Sequence, residues 1–437
     1  MFVRRGRTMA AASVAVALMA LAGCGGSDSS SPPAGSADIT ADPSEVSGKL
    51  TFATWWAYAN EELIDGFKEQ YPDVEVELQF TDIGDYPKKL QAQASAGDLP
   101  DVFAAQSATL AALSEAGQLY DLQEALNTAP YDGSGATWFD TFDPVLLSGA
   151  NSDMKAQETD GQVYGVPFNA ISVAGLYNKD VFAEVGIEPP ATFDDMVANC
   201  KALDAAGYIP MSFTGAVWGE WWPRMAWDQT MRDDKVEDFS ADNPHFVRGF
   251  EIVKELADAG CWDESQITTD IAAETSLFLQ KKTAQFITVP ENFLGAVVDD
   301  ADFELGSYVL PALDGVEPAR VLGGGNANVL VVDKNTDNPA AAVAFAKYLT
   351  SEGVQGELAK TQFTIPSITM GLETSGPLIE AYTQAASNGF IDASVYLPNF
   401  TRPGTTTFNT EVLPQLVLGE ITPEAAAQAT APLLDQG

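Results

Sequence analysis

Tryptophans and short polar side chains gather at a few places in this 437-residue sequence. Trp55 and Trp56 end an apolar run that begins at Lys49. Trp218, Glu220, Trp221 and Trp222 form the densest aromatic cluster. Asp82, Gln106, Asn169, Glu291 and Asn292 each follow or end a run with strand character. Gly325 and Asn326 close a glycine-rich stretch, and Arg402 sits in Asn399-Phe-Thr-Arg-Pro-Gly404. Flat rings offer apolar platforms, while carboxylates, amides and a guanidinium offer paired hydrogen bonds. Such a set suits non-covalent capture of a molecule with apolar faces and a rim of hydroxyls. A hydroxyl enclosed without a partner costs about 1–3 kcal/mol, so the polar groups are needed as much as the rings. Each residue also has a plain structural reading. The tryptophans can be core, Asp82 and Gln106 can be turn or cap residues, and Arg402 can be one arm of a surface ion pair. Neighbours on a strand face opposite ways, so one of Trp55 and Trp56 is expected to face a site. The sequence leaves open which one, and which of Trp218, Trp221 and Trp222 are core.

Catalytic chemistry is poorly provided for. His245 is the single histidine, in Asn243-Pro-His-Phe246, with no serine elbow or metal spacing nearby. A histidine-based triad, a zinc site and a cofactor are therefore not expected. The run Gly323-Gly-Gly-Asn326 lacks the lysine and hydroxyl of a phosphate loop and precedes a strand. With 62 acidic residues, a carboxylate pair of the glycosidase kind is always available on paper, so a glycoside-active enzyme stands as the alternative from another class. The net charge of −40 repels phosphate backbones and anionic lipid, which excludes nucleic-acid binding.

The elements that must position these residues alternate. Lys49–Trp56 reads as a strand. Asn60 caps a helix running to Tyr71, where Pro72 stops it. Val74–Phe80 alternates apolar and polar as a strand does. Tyr86–Ala96 reads as a helix ended by Gly97, and Asp101–Ala105 as a third strand. The rhythm continues to about Pro210 and resumes after Gly306, which predicts an α/β architecture with largely parallel sheets. Val217–Asp302 is mainly helical in pattern. Ala340–Leu349 predicts a helix closed by Gly353, and Thr422-Pro423-Glu424 opens a last one.

The amino terminus carries Arg4, Arg5 and Arg7, then an uncharged stretch from Met9 to Gly23. That is the pattern of a secretory signal. Leu21-Ala22-Gly23-Cys24 resembles the lipobox of bacterial lipoproteins. The resemblance implies cleavage before Cys24, acylation of its thiol by fatty chains such as palmitate, and tethering outside the cytoplasmic membrane. Residues 25–47 are rich in Gly, Ser and Pro and read as a flexible tether. Two cysteines remain, Cys200 and Cys261, which can pair in an oxidising compartment or stay as buried thiols.

Several ordered stretches resemble the family 1 extracellular solute-binding proteins, the carbohydrate receptors of ABC importers. They are Phe67-Lys-Glu-Gln-Tyr-Pro-Asp-Val-Glu-Val76, Leu90–Phe103, Asp160-Gly-Gln-Val-Tyr-Gly-Val-Pro-Phe168 through Asp180, Gly186–Phe193 and Leu416–Ala425. The resemblance covers almost the whole mature chain. It departs from the family pattern at Pro290-Glu291-Asn292-Phe293, where a turn tryptophan is often found. It implies two α/β lobes, each discontinuous in sequence, with a ligand cleft between them. The expected division is residues 1–23 as signal, 24–48 as tether, 49–168 plus 323–374 as the first lobe, and 169–322 plus 375–437 as the second. The implied function is capture of a mono- or oligosaccharide by a lipid-anchored monomer that delivers it to ABC permease subunits. A binding protein for a non-sugar solute is the second alternative.

Overall fold

The computed structural model describes residues 38–56, 58–82, 85–105, 107–133, 136–144, 146–147, 162–170, 173–213, 219, 221–231, 238–262, 264–269, 271–290, 294–312, 328–368, 377–387, 404 and 407–434. The strands are β1 (Gly48–Thr54), β2 (Val74–Phe80), β3 (Val102–Ala105), β4 (Gly165–Ala170), β5 (Ala174–Asn178), β6 (Ile209–Met211), β7 (Thr283–Thr288), β8 (Leu305–Tyr308), β9 (Asn328–Val332) and β10 (Ile365–Pro366). They form a six-stranded sheet in the order β10-β4-β9-β3-β1-β2 and a four-stranded sheet in the order β6-β7-β5-β8.

Each sheet draws on separated stretches of chain. The chain leaves the first sheet at Ala170, enters the second at Ala174, and is back in the first at Asn328. Asn169, expected at the start of the second lobe, is paired within the first sheet, opposite Asn328 and Pro366. The sheets are also less parallel than the sequence rhythm predicts. β1 runs parallel to β2 and β3, but β9 is antiparallel to both β3 and β4, and β5 is antiparallel to β7 and β8. A strand that returns from the other lobe enters the sheet from the opposite end, and the repeated βαβ rule no longer applies to it.

Local signals explain most element ends. Helix α1 (Glu61–Lys68) starts where the Asn60 side chain accepts from the Leu63 amide at 3.0 Å. It stops at Lys68 rather than Tyr71, and the Tyr71 ring lies flat on Phe67 at 4.7 Å. Helix α2 (Tyr86–Ala96) ends at Gly97, whose φ of 70° is the left-handed value glycine tolerates. In the second lobe the main helices are α3 (Phe193–Ala205), α4 (Trp221–Met231) and α5 (Pro244–Asp258). Helix α6 (Pro339–Leu349) is buried from Ala340 through Leu349, as a helix apolar on every side but for Lys347 must be. Gly353 does not close it. The Ser351 hydroxyl accepts from the Val354 amide and starts α7 (Glu352–Thr361), which puts Gly353 in the new first turn.

The first sheet is packed with Phe52, Trp56, Phe67, Phe345 and Leu349. The second is packed with Phe193, Met211, Phe213, Trp227 and Phe250, and includes Cys200 and Cys261. Those two cysteines form a disulfide that ties α3 to the chain just after α5. A third cluster joins Ala170 and Ile365 to Leu176 and Phe286 of the second sheet, with Ile379 and Tyr382 of α8 (Pro377–Ser387). Among the described residues, no helix is long and apolar enough to cross a membrane.

Candidate functional site

The carboxyl ends of β1, β2 and β3 lie side by side, because these strands pair in parallel. Open α/β sheets place ligands at this end, where loops leave the strands. The Tyr86 hydroxyl binds the ends together. It donates to the Ala104 carbonyl at 2.7 Å, and the Ala53 carbonyl lies 3.1 Å away. Burial pushes the Tyr86 phenol well above its ordinary value, so it stays a donor.

The two adjacent tryptophans separate sharply. β1 ends at Thr54, whose hydroxyl accepts from the Trp56 amide at 3.0 Å and bends the chain off the strand. Trp56 is 1% exposed and stacks on Phe168 at 4.2 Å and 15°. It is core, and its indole N–H is buried among apolar rings. Trp55 is half-buried and meets Tyr86 edge-on at 5.0 Å. It is the member of the pair that reaches solvent.

Asp82 is exposed, and its backbone carbonyl accepts from the Asp85 and Tyr86 amides at 3.0 and 2.9 Å. Its main chain thus forms the turn into α2 while its carboxylate faces water. Beside it stands a residue the sequence reading passed over. Phe80, the last residue of β2, is 46% exposed. The alternation Val74, Val76, Leu78, Phe80 assigns it to the core face, and that alternation hid it. The core ends before the strand does, which leaves the final ring in water.

Asn169 is fully buried, and its Oδ1 accepts from Asn328 Nδ2 at 2.9 Å. Trp222 is buried against Trp262 at 5.5 Å, edge to face, in the core of the second lobe. It lines a small apolar pocket with Phe193, Met196, Met225 and Leu310. Trp221 opens α4, but its side chain lies outside the described residues, as do Gln106, Trp218, Glu220, Glu291, Asn292, Gly325, Asn326, Arg402 and Cys24. Among the described residues, no group of three or more His, Cys, Asp and Glu is placed to hold a metal.

The carboxyl ends of β1 and β2 thus carry Trp55, Phe80 and Asp82, two rings and a carboxylate that are each partly or wholly exposed. Rings and a carboxylate are the groups that a flat, hydroxylated face can rest on and bond to.

Comparison with known proteins agrees with this architecture. Residues 48–356 match the family model described as bacterial extracellular solute-binding protein. A maltotriose-binding protein of Pyrococcus abyssi is 27% identical over 346 residues, covering 75% of this chain and 68% of the relative. An sn-glycerol-3-phosphate-binding periplasmic protein of Agrobacterium fabrum is 24% identical over 364 residues, 77% of each. The solved GacH receptor of Streptomyces glaucescens superposes with a TM-score of 0.70 at 20% identity, covering 90% of this chain and all of the receptor. A family match over most of the chain, with the two-sheet fold around it, makes the chain a member of the bacterial extracellular solute-binding protein family.

Proposed function

We propose that this protein is a carbohydrate receptor that closes on a mono- or oligosaccharide and delivers it to the permease subunits of an ABC importer. One observation carries the sugar assignment: Trp55, Phe80 and Asp82 are each partly or wholly exposed at the end of the sheet where ligands sit in open α/β folds. Sugar rings have apolar C–H faces that rest on aromatic platforms, and hydroxyls that need carboxylate or amide partners. The maltotriose-binding relative supports the reading. Gln106, Glu220, Glu291, Asn292, Asn326 and Arg402 are proposed as further polar contacts, with Trp218, Trp221, Gly325 and the Trp222 backbone region around them. Binding shifts the population toward a closed form, because the ligand touches both lobes only there.

The proposed lobes are residues 49–168 plus 323–374 and residues 169–322 plus 375–437, with the first crossing two residues later than that division. The proposed address is the outer face of the cell membrane, held by an acylated Cys24 and the Gly/Ser/Pro tether that follows.

The glycerol-phosphate relative sets the rival ligand class. The net charge of −40 opposes an anionic ligand at long range. The test is a thermal-shift screen of mono- and oligosaccharides alongside sn-glycerol 3-phosphate. The expected outcome is a concentration-dependent rise in melting temperature with one sugar family and none with the phosphate ester. Stabilisation by the ester alone would overturn the sugar assignment, and release of free sugar from an oligosaccharide would overturn the receptor.

A further inference from the structure

The end of the first sheet opposite the candidate site holds two aspartates side by side. Asp101 precedes β3 and Asp333 follows β9. Those strands pair antiparallel, with Val102 opposite Val332, so the aspartates form the next pair along. The Asp333 amide donates to the Asp101 carbonyl at 3.0 Å. Their carboxylates fare differently. Asp101 Oδ2 accepts from the Thr51 amide at 2.8 Å and the Thr51 hydroxyl at 2.7 Å, and its Oδ1 accepts from the Thr336 hydroxyl at 2.6 Å. Asp333 is 6% exposed. The amides of Asn335 and Lys334 bond to its carboxylate. Its Oδ1 nevertheless shows less than 1 Å² to solvent and has no hydrogen-bond partner among the described residues.

We propose that the Asp101–Asp333 pair is an acid-strengthened clasp: Asp333 takes a proton from water as the surroundings acidify, and the first lobe gains stability from it. The inference stands apart from the receptor reading, since it concerns the base of one lobe and no solute.

A buried carboxylate oxygen without a partner is costly while charged, and a second carboxylate beside it adds to the cost. Burial first, with the Asp101 charge adding to it, holds the Asp333 carboxyl above its usual 3.8, against the pull of the two amides. Lys334 and Asp337, on its own turn, are exposed. The segment across from it brings Gln118, Leu119 and Tyr120. Burial raises the Tyr120 phenol above 10.0, so that group stays neutral in acid. An oxygen so enclosed can gain a proton without moving its neighbours. A metal ion needs a ring of ligands, and no group of three or more His, Cys, Asp and Glu is placed for one among the described residues. The clasp matters because of what it joins. Asp101 ties β3 to β1 through Thr51. Thr336 extends the tie to α6, since its hydroxyl also accepts from the amide of Asn338, the cap of that helix. Repulsion between the two carboxylates therefore strains β1, β3, β9 and α6 together. The folded chain binds this proton more tightly than the unfolded one. The stabilising effect is fully present below 3.8 and is lost as pH rises through the folded value.

The test compares thermal unfolding of the wild type and Asp333→Asn between pH 4 and pH 7.5, without ligand and with the disulfide intact. Ionic strength is held fixed, so that the acidic surface is screened alike in both chains. Asparagine keeps an oxygen for the amides of Asn335 and Lys334 and cannot ionise. The variant is expected to gain on the wild type by about 2 °C in melting temperature as pH rises across that range. Any fixed cost of the substitution shifts its whole curve and leaves this slope intact. Asp333→Ser also lacks a titrating group, predicts the same slope, and serves where the amide variant is poorly folded. Parallel curves for the wild type and these variants would overturn the proposal, as would a wild type that gains on them with rising pH. Carbon-13 NMR of the Asp333 carboxyl in the wild type, assigned by its loss in the variants, gives a second reading. Its midpoint is expected above 3.8, and a midpoint at or below that value would overturn the proposal as well.

Discussion

Both sheets are packed with aromatic rings. Around the first, Trp56 stacks flat on Phe168 at 15° while Phe67 meets Phe345 on edge at 79°. Around the second, Trp227 and Phe246 meet Phe250 on edge at 70° and 85°, while Phe278 and Phe286 stack at 29°. The first sheet has six strands and a fully buried, alanine-rich helix that can approach it closely. The second has four, and two of them are only three and four residues long. A short sheet presents little surface for helices to cover. The second lobe makes up for this with aromatic wedges between α4 and α5 and with the Cys200–Cys261 disulfide. The wide lobe is held by its sheet, and the narrow lobe by its helices and a covalent tie.

The sharpest break of this contrast lies in the first lobe. Trp56→Ala removes a fully buried ring and leaves a cavity, at a cost of about 3–5 kcal/mol. Calorimetry is expected to show a large loss of melting temperature, while Trp55→Ala one residue away leaves it nearly unchanged. In the second lobe, Cys200→Ser with Cys261→Ser opens a loop spanning 61 residues, worth about 4 kcal/mol in chain entropy. The expected signature is a separate, earlier unfolding transition for that lobe, and a single unshifted transition would show that the aromatic wedges suffice without the tie.

The first lobe also buries a lysine that has no carboxylate partner among the described residues. Lys347 Nζ donates to the Thr128 hydroxyl at 2.6 Å and the Ala129 carbonyl at 2.7 Å, and faces the Trp138 ring. Burial lowers its pKa from 10.5 to about 8. The folded state therefore prefers the neutral amine, and the unfolded chain binds more protons between the two values. Stability from this group is reduced below about pH 8 and recovers as pH rises toward 10.5. Denaturant midpoints for the wild type and Lys347→Met, compared between pH 7 and 10, are expected to show the wild type gaining on the variant. A constant difference would mean the ammonium is solvated in the folded state.

At the candidate site, Trp55→Ala and Phe80→Ala are each expected to weaken sugar binding about three- to tenfold, the value of an aromatic platform of about 0.5–1.5 kcal/mol. Isothermal titration with the sugar found by screening measures this, and a change in melting temperature without a change in affinity would remove either ring from the site. The smallest effect belongs to Ser351→Ala, which removes the cap of α7 at a cost of about 1 kcal/mol in the first lobe alone.

Much of this was legible from the amino acids. The Asn60 cap, the Gly97 stop and the Thr422-Pro423 start sit where local chemistry puts them. The helix expected over Ala340–Leu349 lies there, but Gly353 does not close it, because Ser351 caps a new helix first. Sheet direction was harder to read. A parallel pattern and an antiparallel one look alike when both faces of a strand are covered.

What the sequence determined by itself is the family, the alternating architecture and the residue types a sugar needs. Those follow from local patterns, since caps, turns and alternation act over a few residues. Tertiary structure alone decided which side chain of each type is available. Trp55 and Trp56 are neighbours with the same chemistry, and only the packing of Phe168 on Trp56 tells them apart. Asn169 has the side chain of a ligand contact, and only Asn328, 159 residues away, makes it a brace. Burial and partner choice depend on contacts distant along the chain, and no local pattern encodes them.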